Sequence, residues 1–296
     1  MVTASAGDSA RPANAGRASS GSGPADPGGA PLLSLRGIGK SFGPVHALTD
    51  ISFDIPAGQV TALVGDNGAG KSTLIKTISG IWEPTAGELV WKGRKVELHG
   101  PKDATALGIA TVYQDLALAD NLDIVQNMML GHEKRRFGLL DEVSMELTAK
   151  KTLADLRVTT VRSIRQTVGS LSGGQRQSVA VAKAVMLDAQ LVIMDEPTAA
   201  LGVTQTELVL DLIERLSSRG HAVLVVSHNL KEVFQVADRM AVLYLGQLAA
   251  TGPASEFDTQ STVELMTTGR SDRVGHSNGN GTESLTTHGR GSGTEG

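Results

Sequence analysis

Eight consecutive residues, Gly65-Asp66-Asn67-Gly68-Ala69-Gly70-Lys71-Ser72, fit the spacing G-x-x-x-x-G-K-[ST]. Their types suit one task. Glycines let successive backbone N–H groups turn inward without a Cβ in the way, which makes a nest for an anion. A helix opening at Lys71 adds partial positive charge at the same place. Lys71 would reach the terminal phosphates of a nucleotide. The Ser72 hydroxyl offers Mg²⁺ the hard oxygen it prefers.

A second group lies far along the chain. Leu191-Val192-Ile193-Met194-Asp195-Glu196 is an apolar run that ends in two acids. A buried strand does not normally end in two carboxylates without partners. Beside a phosphate loop, Asp195 is placed to hold Mg²⁺ through water. Glu196 is placed to polarise an attacking water as general base. A third motif, Leu171-Ser172-Gly173-Gly174-Gln175, precedes a helical segment, Arg176–Leu187. On composition alone it is either a helix-start turn or a second anion site, one serving a nucleotide held by another copy.

These residues need a scaffold, and the hydrophobic pattern supplies one. Val60–Val64 reads as a buried strand feeding the Gly-rich turn, and a helix follows from Lys71. Leu32–Arg36 and Ile51–Ile55 read as strands joined by turns at Gly37–Gly43. Leu89–Trp91 and Lys95–Leu98 read as a hairpin through Gly93. Ile109–Tyr113, Leu191–Met194 and Ala222–Val226 read as further strands. Residues 123–187 read as mostly helical. Thr204–Ser218 is an amphipathic helix with Leu208, Leu212 and Leu216 spaced by four. Met240–Leu245 and Gln247–Ala250 form a late hairpin around Gly246. Strands alternating with helices predict an α/β fold with a mainly parallel sheet, and the helical block reads as an insertion beside it.

The ends differ from the middle. Gly, Ser, Ala and Pro fill 22 of the first 30 positions, and Val274 and Leu285 are the only large aliphatics after residue 268. Neither stretch buries enough apolar surface to offset its ordering entropy, so 1–30 and 269–296 are expected to be disordered tails around a domain at 31–268. Fourteen of the 35 glycines sit there, which brings the middle back to an ordinary glycine content. The chain has no Cys, which excludes disulfides, thiolate metal sites and a Cys nucleophile. A net charge of −4 argues against nucleic acid as a partner. No apolar run is long enough for a membrane span, and the N-terminus has no apolar stretch of signal-peptide length. A cytosolic chain is expected, reaching a membrane only through a partner.

Taken in order, the motifs resemble those of the ATP-binding subunit of ATP-binding cassette (ABC) transporters, over roughly residues 31–268. They are the loop Gly65–Thr73, Gln114 in Tyr113-Gln114-Asp115, Leu171–Gln175, Asp195-Glu196, and His228 in Val226-Ser227-His228-Asn229. The resemblance implies a P-loop NTPase of the ABC ATPase type. Such a fold has a mainly parallel core sheet, an antiparallel β-subdomain and a helical subdomain inserted at about 115–187. It implies that Gly65, Asp66, Asn67, Gly68, Ala69, Gly70, Lys71, Ser72 and Thr73 bind ATP, and that Phe42 stacks on the adenine. Gln114 would contact Mg²⁺ and the attacking water, and would begin the segment facing the membrane subunits. His228 would sense the γ-phosphate. Leu171, Ser172, Gly173, Gly174 and Gln175 would contact ATP held by the opposite subunit. Catalysis would fall to Glu196, His228, Lys71 and Gln114, with Mg²⁺ held by Ser72, Gln114 and Asp195. The implied assembly is a homodimer or a pair with another cassette. It would be bound to transmembrane permease subunits on the cytoplasmic face of the membrane, and served indirectly by a sugar-binding protein.

The motif contexts are similar to the monosaccharide-import branch. One departure stands out: where the family usually has Ser-Ala-Leu-Asp after Pro197-Thr198, this chain has Ala199-Ala200-Leu201-Gly202. Two other readings are open. A soluble cassette ATPase is opposed by the lack of coiled-coil arms and of a second cassette. An ATP-sensing module without turnover is opposed by Glu196 and His228 and permitted by Gly202.

Overall fold

The computed structural model describes residues 31–158 and 160–272. The expectation for residues 1–30 lies outside the described residues. So does that for the second tail, apart from 269–272, where Ser271 is buried and its hydroxyl bonds Glu264.

The chain opens with strands β1 (Pro31–Phe42), β2 (Val45–Pro56) and β3 (Val60–Gly65), then helix α1 (Lys71–Ile78). Strands β4 (Ala86–Trp91) and β5 (Arg94–Val96), helix α2 (Pro101–Leu107) and strand β6 (Ile109–Val112) follow. The middle holds α3 (Ile124–Met129), the short strands β7 (Arg135–Arg136) and β8 (Leu139–Leu140), α4 (Glu142–Asp155) and α5 (Gly173–Met186). The last third alternates β9 (Leu191–Asp195), α6 (Val203–Ser218), β10 (Ala222–Val226), α7 (Leu230–Val236), β11 (Arg239–Tyr244), β12 (Gln247–Pro253) and α8 (Thr259–Thr268).

Two main sheets result. The core sheet runs β12-β11-β3-β10-β9-β6, parallel except for β12 on its edge. The other is antiparallel, β2-β1-β4-β5. The expected turns at Gly37–Gly43 need correction. β1 continues through them to Phe42, and the turn is confined to Gly43-Pro44. Gly37, Gly39, Lys40 and Ser41 read as loop residues. In the fold they sit at bulges, where the pairing slips between Leu35 and Ile38 and again up to Ser41. The block at 123–187 carries three helices, as read, but they are separated by the β7–β8 hairpin, whose tip carries an exposed Phe137, and by a stretch between α4 and α5 whose described residues are irregular apart from a single 3-10 turn at Val168–Ser170.

The core sheet is buried on both faces, as parallel strands require. Alternation in β9 shows how. Leu191 and Ile193 pack with Leu63, Leu74 and Ile78 on the side of the antiparallel sheet. Val192 and Met194 pack with Val179, Val209 and Ile213 on the helical side. All four are fully buried, and each such side chain contributes about 1.5–3 kcal/mol relative to exposure. The helical insertion is tied by polar contacts as well. Arg165 bridges Asp123 at the cap of α3 to Glu142 and Glu146 of α4, at 3.2–3.3 Å.

Candidate functional site

The parallel strands β3, β9 and β10 end side by side, and the motif residues follow their carboxyl ends, where open α/β sheets place their ligands. β3 delivers the phosphate loop. All six of its residues are buried, so the loop springs from a fixed base. Two glycines in the loop are required by geometry. A Cβ on Gly65 would lie 2.6 Å from the Leu243 carbonyl oxygen, and Gly70 has φ 102° as the residue before α1. Behind them α1 is anchored by Leu74, Ile75 and Ile78.

Lys71 is 9% exposed. Its Nζ donates to the carbonyls of Gly65 at 2.7 Å and Asp66 at 3.1 Å. The charge is thereby held at the mouth of the loop instead of sweeping through solvent. Asp66 through Thr73, Gln114, Asp195 and Glu196 line one cavity of about 530 Å³, well within the range of small-molecule sites. Loop residues 65 to 73 are separated by more than a hundred positions from Asp195 and Glu196, and the sheet order alone unites them.

Asp195 ends β9 partly buried. Burial first, and the neighbouring Glu196 carboxylate second, push its carboxyl above the usual range, while Lys71 and Lys76 pull the other way. Glu196 is the residue after the strand. Its backbone has φ 49°, a conformation rare for a non-glycine residue, and its N–H donates to the Val226 carbonyl at 2.9 Å. Its carboxylate is 17% exposed and accepts a hydrogen bond from His228 Nδ1 at 2.9 Å. A carboxylate can only accept, so Nδ1 carries the proton of this hydrogen bond. His228 is itself 66% exposed.

The signature residues lie elsewhere. None of Leu171–Gln175 lines the cavity. Ser172 caps α5 by accepting from the Gln175 N–H at 3.4 Å, and Gln175 Oε1 accepts from the Ser172 N–H at 2.9 Å. Gln175 also donates to the Thr160 carbonyl. The motif is thus a capped helix start, with Ser172 exposed and Gly173 half-buried against Leu201. Phe42 ends β1 beside the cavity, without lining it, and packs edge-on against Trp82 at 4.7 Å.

Sequence reasoning missed several neighbours. Val45, His46 and Ala47 of β2, with Leu245 and Gly246 of the late hairpin, also line the cavity. His46 shares a 2.9 Å hydrogen bond with the Ser41 hydroxyl. Of these, only Val45, His46 and Ala47 lie close in sequence to a residue read as nucleotide-binding, Phe42.

Gly202 is the residue before α6 and makes no side-chain cap. A Cβ there would meet nothing within 4 Å. Gly202→Asp is therefore expected to stabilise the chain by a few tenths of a kcal/mol, through a new cap and the helix dipole. That raises the thermal midpoint by about 1 °C. A lower midpoint in calorimetry would count against the open cap.

Comparison with known proteins agrees with this geometry. The ABC transporter family model matches residues 48–199. A xylose/arabinose import ATP-binding protein of Sulfolobus acidocaldarius is 45% identical over 236 residues, 80% of this chain and 94% of that one. A fructose import ATP-binding protein of Rhizobium meliloti is 43% identical over 244 residues, with the same coverage. A ribose import ATP-binding protein of Rubrobacter xylanophilus is 42% identical over 236 residues, 47% of its length, so this chain spans about half of that longer protein. Among solved structures, a nucleotide-free ATP-binding cassette from an ABC transporter superposes with TM-score 0.67 at 26% identity, covering 76% of this chain and 92% of that one. The ADP conformation of another such cassette gives 0.69 at 25%, covering 80% and 95%. With its phosphate loop, acidic strand end and capped signature helix on one α/β frame, the chain belongs to the ABC transporter family as an ATP-binding cassette.

Proposed function

We propose that the chain hydrolyses ATP in the cavity at the ends of β3, β9 and β10 and thereby drives import of a monosaccharide through separate membrane subunits. The observation that carries the reading is the convergence of the Lys71 loop with Asp195 and the Glu196–His228 pair. The sugar comes from the relatives, which are named for xylose/arabinose, fructose and ribose import.

The residues supply the steps. Loop N–H groups and Lys71 bind and orient the phosphates and offset charge as it develops. Glu196 takes the proton from an attacking water, and His228 fixes the orientation of its carboxylate. The oxygen donors Ser72, Gln114 and Asp195 face the same cavity and fit Mg²⁺, which is usually held by one or two carboxylates together with substrate phosphates. When bound there, Mg²⁺ would neutralise charge on the terminal phosphates. The desolvated Asp195 carboxyl supports that assignment.

The signature needs a second cassette. Ser172–Gln175 lies outside its own cavity, so in this reading it serves the ATP of a partner cassette, either a second copy or a related chain. The membrane partner would dock in a groove of about 300 Å³ between the core sheet and the helical insertion, lined by Ala110, Leu116, Ala180, Ala184, Leu187 and Lys183. Tyr113 lines this groove and the next residue, Gln114, lines the nucleotide cavity, so one short segment touches both. Among the described residues no helix is long and apolar enough to cross a membrane.

The test is co-purification from membranes, followed by reconstitution in vesicles with the captured membrane subunits and a sugar-binding protein. Uptake of xylose, fructose or ribose that depends on ATP on the side of this chain supports the reading. Reconstituted vesicles that hydrolyse ATP without taking up any of these sugars overturn the transport half of it.

A further inference from the structure

Glu196 and His228 sit on different strand ends, and their 2.9 Å contact is not self-supporting. Glu196 has φ 49°, and Ala200 in the same loop has φ 62°. Backbone in this region costs on the order of 1–3 kcal/mol and persists only where surroundings over-determine it. One side chain does so from outside the cavity. Glu232, in the first turn of α7, receives a hydrogen bond on each carboxylate oxygen. The Thr198 hydroxyl, two residues after Glu196, donates to Oε2. The Asn229 amide, the residue after His228, donates to Oε1 at 2.7 Å. Asn229 is fixed in turn through its N–H to the Ser227 hydroxyl at 3.0 Å.

We propose that Glu232 is a positioning residue for ATP hydrolysis, bracing the loop that carries Glu196 against the loop that carries His228. It does not line the nucleotide cavity, so it is not a catalytic residue. The proposal rests on the roles given above to Glu196 and His228. The space enclosed by Pro197, Thr198, Ser227 and Glu232 is only about 10 Å³, at the lower limit for a single water. In the intact structure the carboxylate, and not a chain of waters, is therefore the link between the two loops at this point. A displacement of about 1 Å at reacting groups is enough to cost on the order of 100-fold in rate.

The test is steady-state turnover and ATP affinity of the full chain. Glu232→Ala is expected to lower kcat about tenfold, with KM and the calorimetric Kd for ATP within about twofold of the parent. Glu232→Gln should restore kcat to within about threefold, since its amide oxygen still accepts from Thr198 and Asn229 can turn its own oxygen toward the amide. Thr198→Val removes the brace at one atom and carries the test if the alanine variant does not fold. The double variant Glu232→Ala/Thr198→Val should be no slower than the worse single one, because both break the same link. An unchanged kcat in Glu232→Ala, an equal loss of ATP affinity, or multiplicative losses in the double variant overturns the proposal. Glu196→Gln run alongside separates the two levels. If it is inactive while Glu232→Ala is normal, only the brace fails. If it turns over normally, the assignment of Glu196 fails.

Discussion

Glu196→Gln is expected to bind ATP as well as the parent chain, or better, and to hydrolyse it at least about 100-fold more slowly. The substitution keeps volume and leaves an amide oxygen to accept from His228 Nδ1, so the 2.9 Å contact and the loop around it survive. What it removes is basicity. An amide cannot take the proton of an attacking water, and positioned proton transfer is worth about 10²–10⁴ in rate. It also removes a negative charge next to Asp195, one of the two main causes of that residue's raised pKa. The anionic phosphates then meet one charged carboxylate fewer, which favours the bound nucleotide. Phosphate release measured at saturating ATP, beside calorimetric binding, checks both halves. Turnover within a few-fold of the parent would remove Glu196 from the role of base.

The second large effect belongs to Lys71. Lys71→Ala is expected to weaken ATP binding by roughly ten- to a hundredfold, the equivalent of losing about 1.5–3 kcal/mol of charge-assisted hydrogen bonding. The variant also leaves the Gly65 and Asp66 carbonyls without their donor. Because the loop opens into a solvent-filled cavity, water takes that place, and the fold should change little in stability. Thermal unfolding separates the two costs: a nearly unchanged midpoint with weakened calorimetric affinity is the expected pair. Unchanged affinity would mean that the ammonium does not face the nucleotide.

Both residues were legible in the sequence because their signals are local. Lys71 follows glycines at fixed spacing between a strand pattern and a helix pattern, and Asp195-Glu196 ends an apolar run. The order of the parallel strands was not readable, although their alternation with helices was. What escaped reading depends on partners far apart in the chain. Thr198 and Glu232 are ordinary residues until α7 lays one against the other. Trp82 becomes a wall for Phe42 only because the segment after α1 returns to the end of β1. The length of β1 was misjudged for a related reason. Glycine and polar residues at 37–41 signal a turn by composition, whereas pairing with β2 and β4 holds them as bulged strand. Gln175 was legible as part of a motif but not as half of a capping box, which needs the helix start at Gly173 to be known.

The alternating burial of β9 has a consequence for how such a chain can diverge. Leu191 and Ile193 answer to one core, and Val192 and Met194 to the other. The central sheet thus acts as a partition between two sets of positions that can be rewritten separately. The helical layer can be recast to suit a different membrane partner while the layer under the phosphate loop keeps its packing. The acids that follow β9 inherit their placement from the strand itself, so lineages that exchange one cargo for another need not rebuild the machinery that spends the nucleotide.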